Sequence, residues 1–197
     1  MIHSSDPFAK RPKRVPEHTA STTSRAPRPA PKPALDVPSP GVRLVRQTPS
    51  EALDIYMTAI AGASSMELVE LERHGVEGVL LKELARKMGI TSIRLFAILG
   101  LPKATADKKA AAGERVVGSA GQAAIAVIKL NAKAQAIVAN STAPEAEGFD
   151  ASLWLGRWIE VDQPALGGRK AADLLDTPTG QKVVSRLLGA LESGAYQ

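Results

Sequence analysis

Histidine is the side chain whose ordinary pKa suits it to move protons near neutral pH. Two of the three histidines, His3 and His18, stand in a proline-rich opening segment, which leaves His74 alone in the body of the chain. There is no cysteine for it to activate, and covalent catalysis needs a base held rigidly beside its nucleophile. A single histidine also excludes a di-histidine metal site in the body. Without a convergent acid–base set the chain reads as a non-enzyme, with no cofactor and no metal. The groups with something to offer are cationic. Lys82, Arg86, Lys87, Arg94, Lys103, Lys108, Lys109 and Arg115 face three acidic residues within 82–115. Cations in such excess suit phosphates or acidic surfaces.

The net charge of +5 is uneven. Residues 1–49 hold nine basic and three acidic side chains, whereas the other 148 hold 16 and 17. Ten of the fourteen prolines also fall in 1–49, with the run P-R-P-A-P-K-P at 27–33. So few apolar groups cannot offset the entropy of ordering, and a disordered tail with local polyproline-II character is expected. The tail is either simply solvated or a basic arm that adds phosphate contacts. Positions 2–16 lack the apolar stretch of a signal peptide. The apolar run from Val116 to Leu130 is interrupted by Gly118, Ser119, Gly121, Gln122 and Lys129, and it falls short of the ~20 residues that span a bilayer. A soluble, cytoplasmic protein without membrane contact is expected, and the lack of cysteine is compatible with a reducing compartment.

The elements that must position these groups are helical. Thr48-Pro49-Ser50-Glu51 is a helix start, and the helix carries Leu53, Ile55, Tyr56 and Ile60 before Gly62. A second begins near Ser64 or Ser65 and ends at His74-Gly75. Three short helices follow, Val79–Met88, Ser92–Leu99 and Lys103–Lys109, separated by Gly89 and Gly100. The spacing fits helix-turn-helix geometry in two frames. In one, Leu84, Ala85, Met88, Gly89, Ile90, Leu95 and Ile98 hold the pair together, and Thr91, Ser92 and Arg94 face a groove. In the other, Leu95, Leu99, Gly100, Leu101 and Ala106 hold it, and Lys103, Thr105, Lys108 and Lys109 read. A helical packing unit without DNA remains the plain alternative. From Gly113 to Asn140 apolar residues keep helical period, with Ala and Gly permitting close approach. That face is either core or a dimer seam.

Residues 148–197 form a compact module. A helix over Phe149–Ile159 carries Leu153, Trp154, Leu155 and Trp158, and Pro164 stops it. Leu166-Gly167-Gly168 makes a tight turn, and Arg169 or Lys170 opens a short helix burying Ala171, Leu174 and Leu175. Thr177 caps the last helix, with Pro178 in its first turn, a stripe of Val183, Val184, Leu187, Leu188 and Leu191, and Gly194 at its end. A core this small supplies only a few kcal/mol, so the middle domain or a partner must cover part of it.

Trp158-Ile159, Pro164 to Gly168, Leu174-Leu175-Asp176-Thr177-Pro178, Gly180, Val184, Leu187-Leu188-Gly189, Glu192 and Gly194-Ala195-Tyr196 together resemble the toxin-binding domain of Xre/MbcA/ParS-type antitoxins. Residues 76–140 are similar, more loosely, to the Xre-like region of that family. Leu99-Gly100-Leu101-Pro102-Lys103-Ala104-Thr105 matches its Leu-Gly-Ile-Ser-x-x-Thr pattern, which favours the second frame; Ala171 stands where the family usually has Pro. Periodicity gives an all-α protein and composition a disordered tail (1–49), which the resemblance does not cover; the resemblance adds a helix-turn-helix and dimerisation region (50–140) and a toxin-binding domain (148–197). It implies a type II antitoxin that neutralises a RES-type, NAD-targeting toxin by lodging its C-terminal segment in the toxin's cleft. Trp158, Arg169, Lys182, Arg186, Leu187, Glu192, Gly194, Ala195, Tyr196 and Gln197 are the implied toxin contacts. Arg94, Lys103, Thr105, Lys108 and Lys109 are the candidate contacts to operator DNA, in a homodimer within a larger complex. The alternative is a free-standing helix-turn-helix regulator without a toxin partner.

Overall fold

Two capping boxes start the first two helices. Thr48 and Glu51 exchange side-chain and backbone hydrogen bonds at the head of α1 (Pro49–Gly62), and Ser64 and Glu67 do the same for α2 (Ser65–His74). Each satisfies two N–H groups that a helix start leaves orphaned. The computed structural model describes residues 48–192, all within the compact unit Pro38–Gln197. The tail expected at 1–49 lies outside the described residues except for Thr48, which caps α1, and Pro49, which begins it.

After α2 the chain makes a short strand, β1 (Val76–Glu77), then α3 (Gly78–Lys87), α4 (Ser92–Ile98) and α5 (Lys103–Ala112). The turns at Gly89 and Gly100 carry φ of +66° and +64°, so each helix-turn-helix frame has its glycine turn. The strand β2 (Arg115–Val116) returns antiparallel to β1, with Val76 opposite Val116 and Glu77 opposite Arg115. This clasp closes the three-helix unit and delivers the chain into α6 (Gly118–Ala139), 22 residues long. Helical period had suggested helix from Gly113. Gly113 instead takes the left-handed conformation as the cap of α5, and Arg115 and Val116 are spent on the clasp. Val116 is buried there, while Val117 is half exposed.

Helix α6 is the centre of the molecule. It packs against α1, α2, α7 (Ala151–Trp158) and α8 (Pro178–Glu192). Ala123, Ala124, Ile125, Ile128 and Ala134 are all buried. The Ala-rich face is therefore covered by the chain's own helices, which leaves it to the core rather than to a dimer seam. Between α7 and α8 the strands β3 (Asp162–Gln163) and β4 (Arg169–Lys170) pair antiparallel across a 3-10 turn at Pro164–Leu166, and a second 3-10 turn follows at Ala171–Leu174. Arg169 and Lys170, expected to open a helix, are strand residues because the hairpin uses their backbone. Helix α7 starts at Ala151 rather than Phe149, because the Asp150 carboxylate caps the Ser152 and Leu153 amides at 3.0 and 2.9 Å. The described residues are otherwise mostly helical, as periodicity implied, and the four strands among them have two residues each.

Two features dock α7 on the rest. Ser152 Oγ donates to Asn131 Oδ1 at 2.9 Å and accepts from Gln135 Nε2 at 3.2 Å, a buried polar link to α6. On the other side Gly156 lies so close to the end of α3 that a Cβ there would collide with the Met88 carbonyl oxygen. Backbone cannot yield as a side-chain tip can. Gly156→Ala should therefore lower stability by about 1–3 kcal/mol. Ser152→Ala, which orphans the Asn131 carbonyl oxygen, should cost a similar ~1–3 kcal/mol. Urea unfolding followed by tryptophan fluorescence checks both; a change below about 0.5 kcal/mol in both variants contradicts this view of the docking.

Candidate functional site

The C-terminal module is anchored by its apolar residues and displays its polar ones. Leu155, Ile159, Leu175, Val184 and Leu188 are fully buried. Trp154 and Trp158, one turn apart on α7, stack at 5.8 Å between ring centroids with planes 19° apart, and Phe149 leans on Trp154 at 6.3 Å. This ladder runs from the core to the surface, where Phe149 is 44 % exposed. Trp158 is half-buried within it.

Beyond α7 the Ile159 carbonyl accepts the Ala172 amide at 2.9 Å, which folds the hairpin back onto the helix. Glu160 then becomes the centre of a polar latch. Arg94 of α4 gives its Nε and Nη2 to the two carboxylate oxygens at 2.6 and 3.1 Å. Asp173 approaches the same guanidinium at 3.7 Å and Lys170 approaches Glu160 at 3.8 Å. The hydrogen bond that Arg94 donates to Glu160 raises the Arg94 pKa further above its ordinary value. A two-pronged arginine–carboxylate pair is geometrically specific. Arg94, one candidate DNA contact, is thus committed to holding the C-terminal module.

The cations of α5 are held more loosely. Asp107 takes Lys103 at 2.6 Å and Lys82 of α3 at 2.9 Å. The hydrogen bond from Lys103, then that from Lys82, holds its carboxyl well down, at about 2. The carboxylate stays ionised at any pH above that value, so it neutralises only one of two lysines near neutrality. Lys109 pairs with Glu114 at 3.3 Å. Thr105 and Lys108 are exposed, and Lys108 has no ion pair among the described residues. Lys103, Thr105 and Lys108 are therefore all exposed on α5, while Arg94 stands apart in the latch.

Helix α8 buries Val184, Leu187 and Leu188 of the expected apolar stripe but leaves Val183 and Leu191 exposed. Thr177 Oγ1 accepts the Gly180 amide at 3.2 Å as its cap. Val184 and Leu188 face inward, and Leu187, an implied toxin contact, is itself only 6 % exposed. Lys182 and Arg186 point the other way, into a groove of about 500 Å³ shared with α2 and α6. Glu72 and Lys129 reach the same groove. Arg169 is exposed on β4 and has no carboxylate partner among the described residues. Glu192 ends the described helix without a described side chain, and Gly194, Ala195, Tyr196 and Gln197 lie outside the described residues. Sequence reasoning had missed Glu160, whose partner is 66 positions away, and had noticed Lys129 only as an interruption in an apolar run.

The His74 Nδ1 lies 2.7 Å from the Glu70 carbonyl oxygen at the end of α2. Among the described residues no group of three or more His, Asp or Glu could hold a metal ion, and no helix is long and apolar enough to cross a membrane.

Residues 147–194 match the family described as the antitoxin Xre/MbcA/ParS C-terminal toxin-binding domain. Over 138 residues the chain is 35 % identical to the Prs ADP-ribosylating antitoxin of Sphingobium sp. (strain YBL2), covering 70 % of this chain and 86 % of that protein. The matched span extends well beyond the 147–194 module and takes in much of the helical body on which the module is mounted. The chain belongs to the Xre/MbcA/ParS antitoxin family.

Proposed function

We propose that this antitoxin silences a RES-type, NAD-targeting toxin by presenting α8 and the segment beyond it to the toxin's nucleotide cleft. The observation that carries the proposal is the division of α8. Its inner face is consumed by the core, and its outer face shows Lys182 and Arg186, neither with an ion pair among the described residues. A helix fixed on one side and cationic on the other suits capture of a partner rather than packing alone. The name of the Sphingobium relative joins an antitoxin to ADP-ribosylation of Prs. That supports a partner which moves ADP-ribose from NAD rather than one which only destroys the dinucleotide. Tyr196 would supply an aromatic anchor, and Arg169 and Gln197 polar contacts.

The test is co-expression with the toxin encoded beside this chain. Full-length protein should protect cells and co-purify with the toxin. Protein lacking residues 194–197 should bind more weakly and lose protection. Full protection by the shortened protein refutes the cleft-plugging role. Absence of any complex with the full-length chain removes the toxin and leaves a free-standing regulator.

Autorepression through operator binding is the second part of the proposal, and the geometry favours α5 as the reading helix. Arg94 on α4 is tied to Glu160, whereas Lys103 and Lys108 on α5 are exposed and Asp107 neutralises only part of the charge around it. Replacing Lys103 and Lys108 by Ala should weaken binding to the chain's own promoter and reduce the salt slope by about 2. Asp107→Asn should strengthen it. Fluorescence anisotropy at several salt concentrations checks both, and unchanged binding in both variants would remove α5 from the interface.

A further inference from the structure

The described cations of this fold mostly find carboxylates. Arg73, Lys82, Arg86, Lys87, Arg94, Lys103, Lys109, Arg115 and Lys170 all sit within 4 Å of one. Lys108, Lys129, Lys133, Arg157, Arg169, Lys182 and Arg186 do not, and of these Lys129, Lys182 and Arg186 line one groove between α2, α6 and α8. Lys182 and Arg186 are four residues apart on the same face of α8, an arrangement of like charges that costs a helix a few tenths of a kcal/mol. Glu72 is the single carboxylate on the groove wall. The floor is half-apolar, with Ala126 and the buried Leu130. A trough of about 500 Å³ with an apolar floor and a cationic rim is complementary to a short segment carrying several carboxylates.

We infer that this groove docks an acidic segment of the partner toxin. The inference rests on the proposed toxin partnership and deepens it. The toxin would then grip two parts of the chain: the module at 147–194 and, through Lys129, the central helix that lies outside it. The acidic segment aligns along the rim, its carboxylates meeting Lys129, Lys182 and Arg186, while Ser185 and Gln122 offer polar contacts at the ends.

The test uses the full chain and the toxin encoded beside it, with association measured by surface plasmon resonance at about 50 and about 500 mM salt. Lys129 is exposed, so Lys129→Glu should fold normally, and a melting curve matching wild type verifies it. We expect association at low salt to slow about tenfold, the difference shrinking at high salt as screening shortens the reach of the charges. Lys129→Gln should fall between. Glu72→Gln, which removes the opposing charge, should speed association. Wild-type binding that neither Lys129 variant alters overturns the groove and leaves the toxin partnership standing. Loss of duplex DNA binding in Lys129→Glu with toxin binding intact also overturns it, in favour of nucleic acid. No wild-type complex at all overturns both the groove and the partnership.

Discussion

The close packing around α6 is the constraint on which the rest of the structure depends. Small residues at positions 120, 121, 123, 124 and 134 let four helices approach one axis, and dense packing makes such contacts intolerant of added volume. The N-terminal pair α1 and α2 covers one side, and α7 and α8 cover another. Neither the three-helix unit α3–α5 nor the C-terminal module is a free-standing bead. The first is clasped to the start of α6 by the β1–β2 pairing, and the second lies along its later turns.

That arrangement answers the problem of the module's size. About fifty residues with eight leucines and two tryptophans bury too little surface to be stable alone. Here the missing surface comes from α6 and from the end of α3, where the absent side chain of Gly156 lets two backbones meet. Lys133 adds a hydrogen bond to the Ser185 carbonyl at 3.1 Å, and the Arg94 latch ties α4 to the hairpin. With its inner faces supported from within the chain, the module can hold its outer face rigid, and a preformed surface loses little entropy when a partner arrives.

The same support links the two surfaces. Arg94 sits on α4, beside α5, and its partner Glu160 sits in the C-terminal module. Ion pairs at such exposure contribute little stability, but a forked pair restricts orientation. The helices that would face DNA and the module that would face a toxin are consequently parts of one packed body rather than two tethered ones.

Local chemistry was legible in the sequence. Caps announced themselves at Thr48, Ser64 and Thr177, because a hydroxyl three residues from its target amide is a short-range signal. Helical period marked α1 to α5 and α8, and glycine marked the turns at Gly89, Gly100 and Gly167-Gly168. The clasp at 115–116 was not legible, because a two-residue strand has no period and its partner lies about forty positions away. The commitment of Arg94 to Glu160 and the gathering of Lys129 with Lys182 and Arg186 were invisible for the same reason. Each is decided by which helices share a wall, and that follows from how the whole set of apolar faces closes around α6. The order and type of residues thus determined the elements and the family; only their packing decided which charges are spent inside the protein and which are left for a partner.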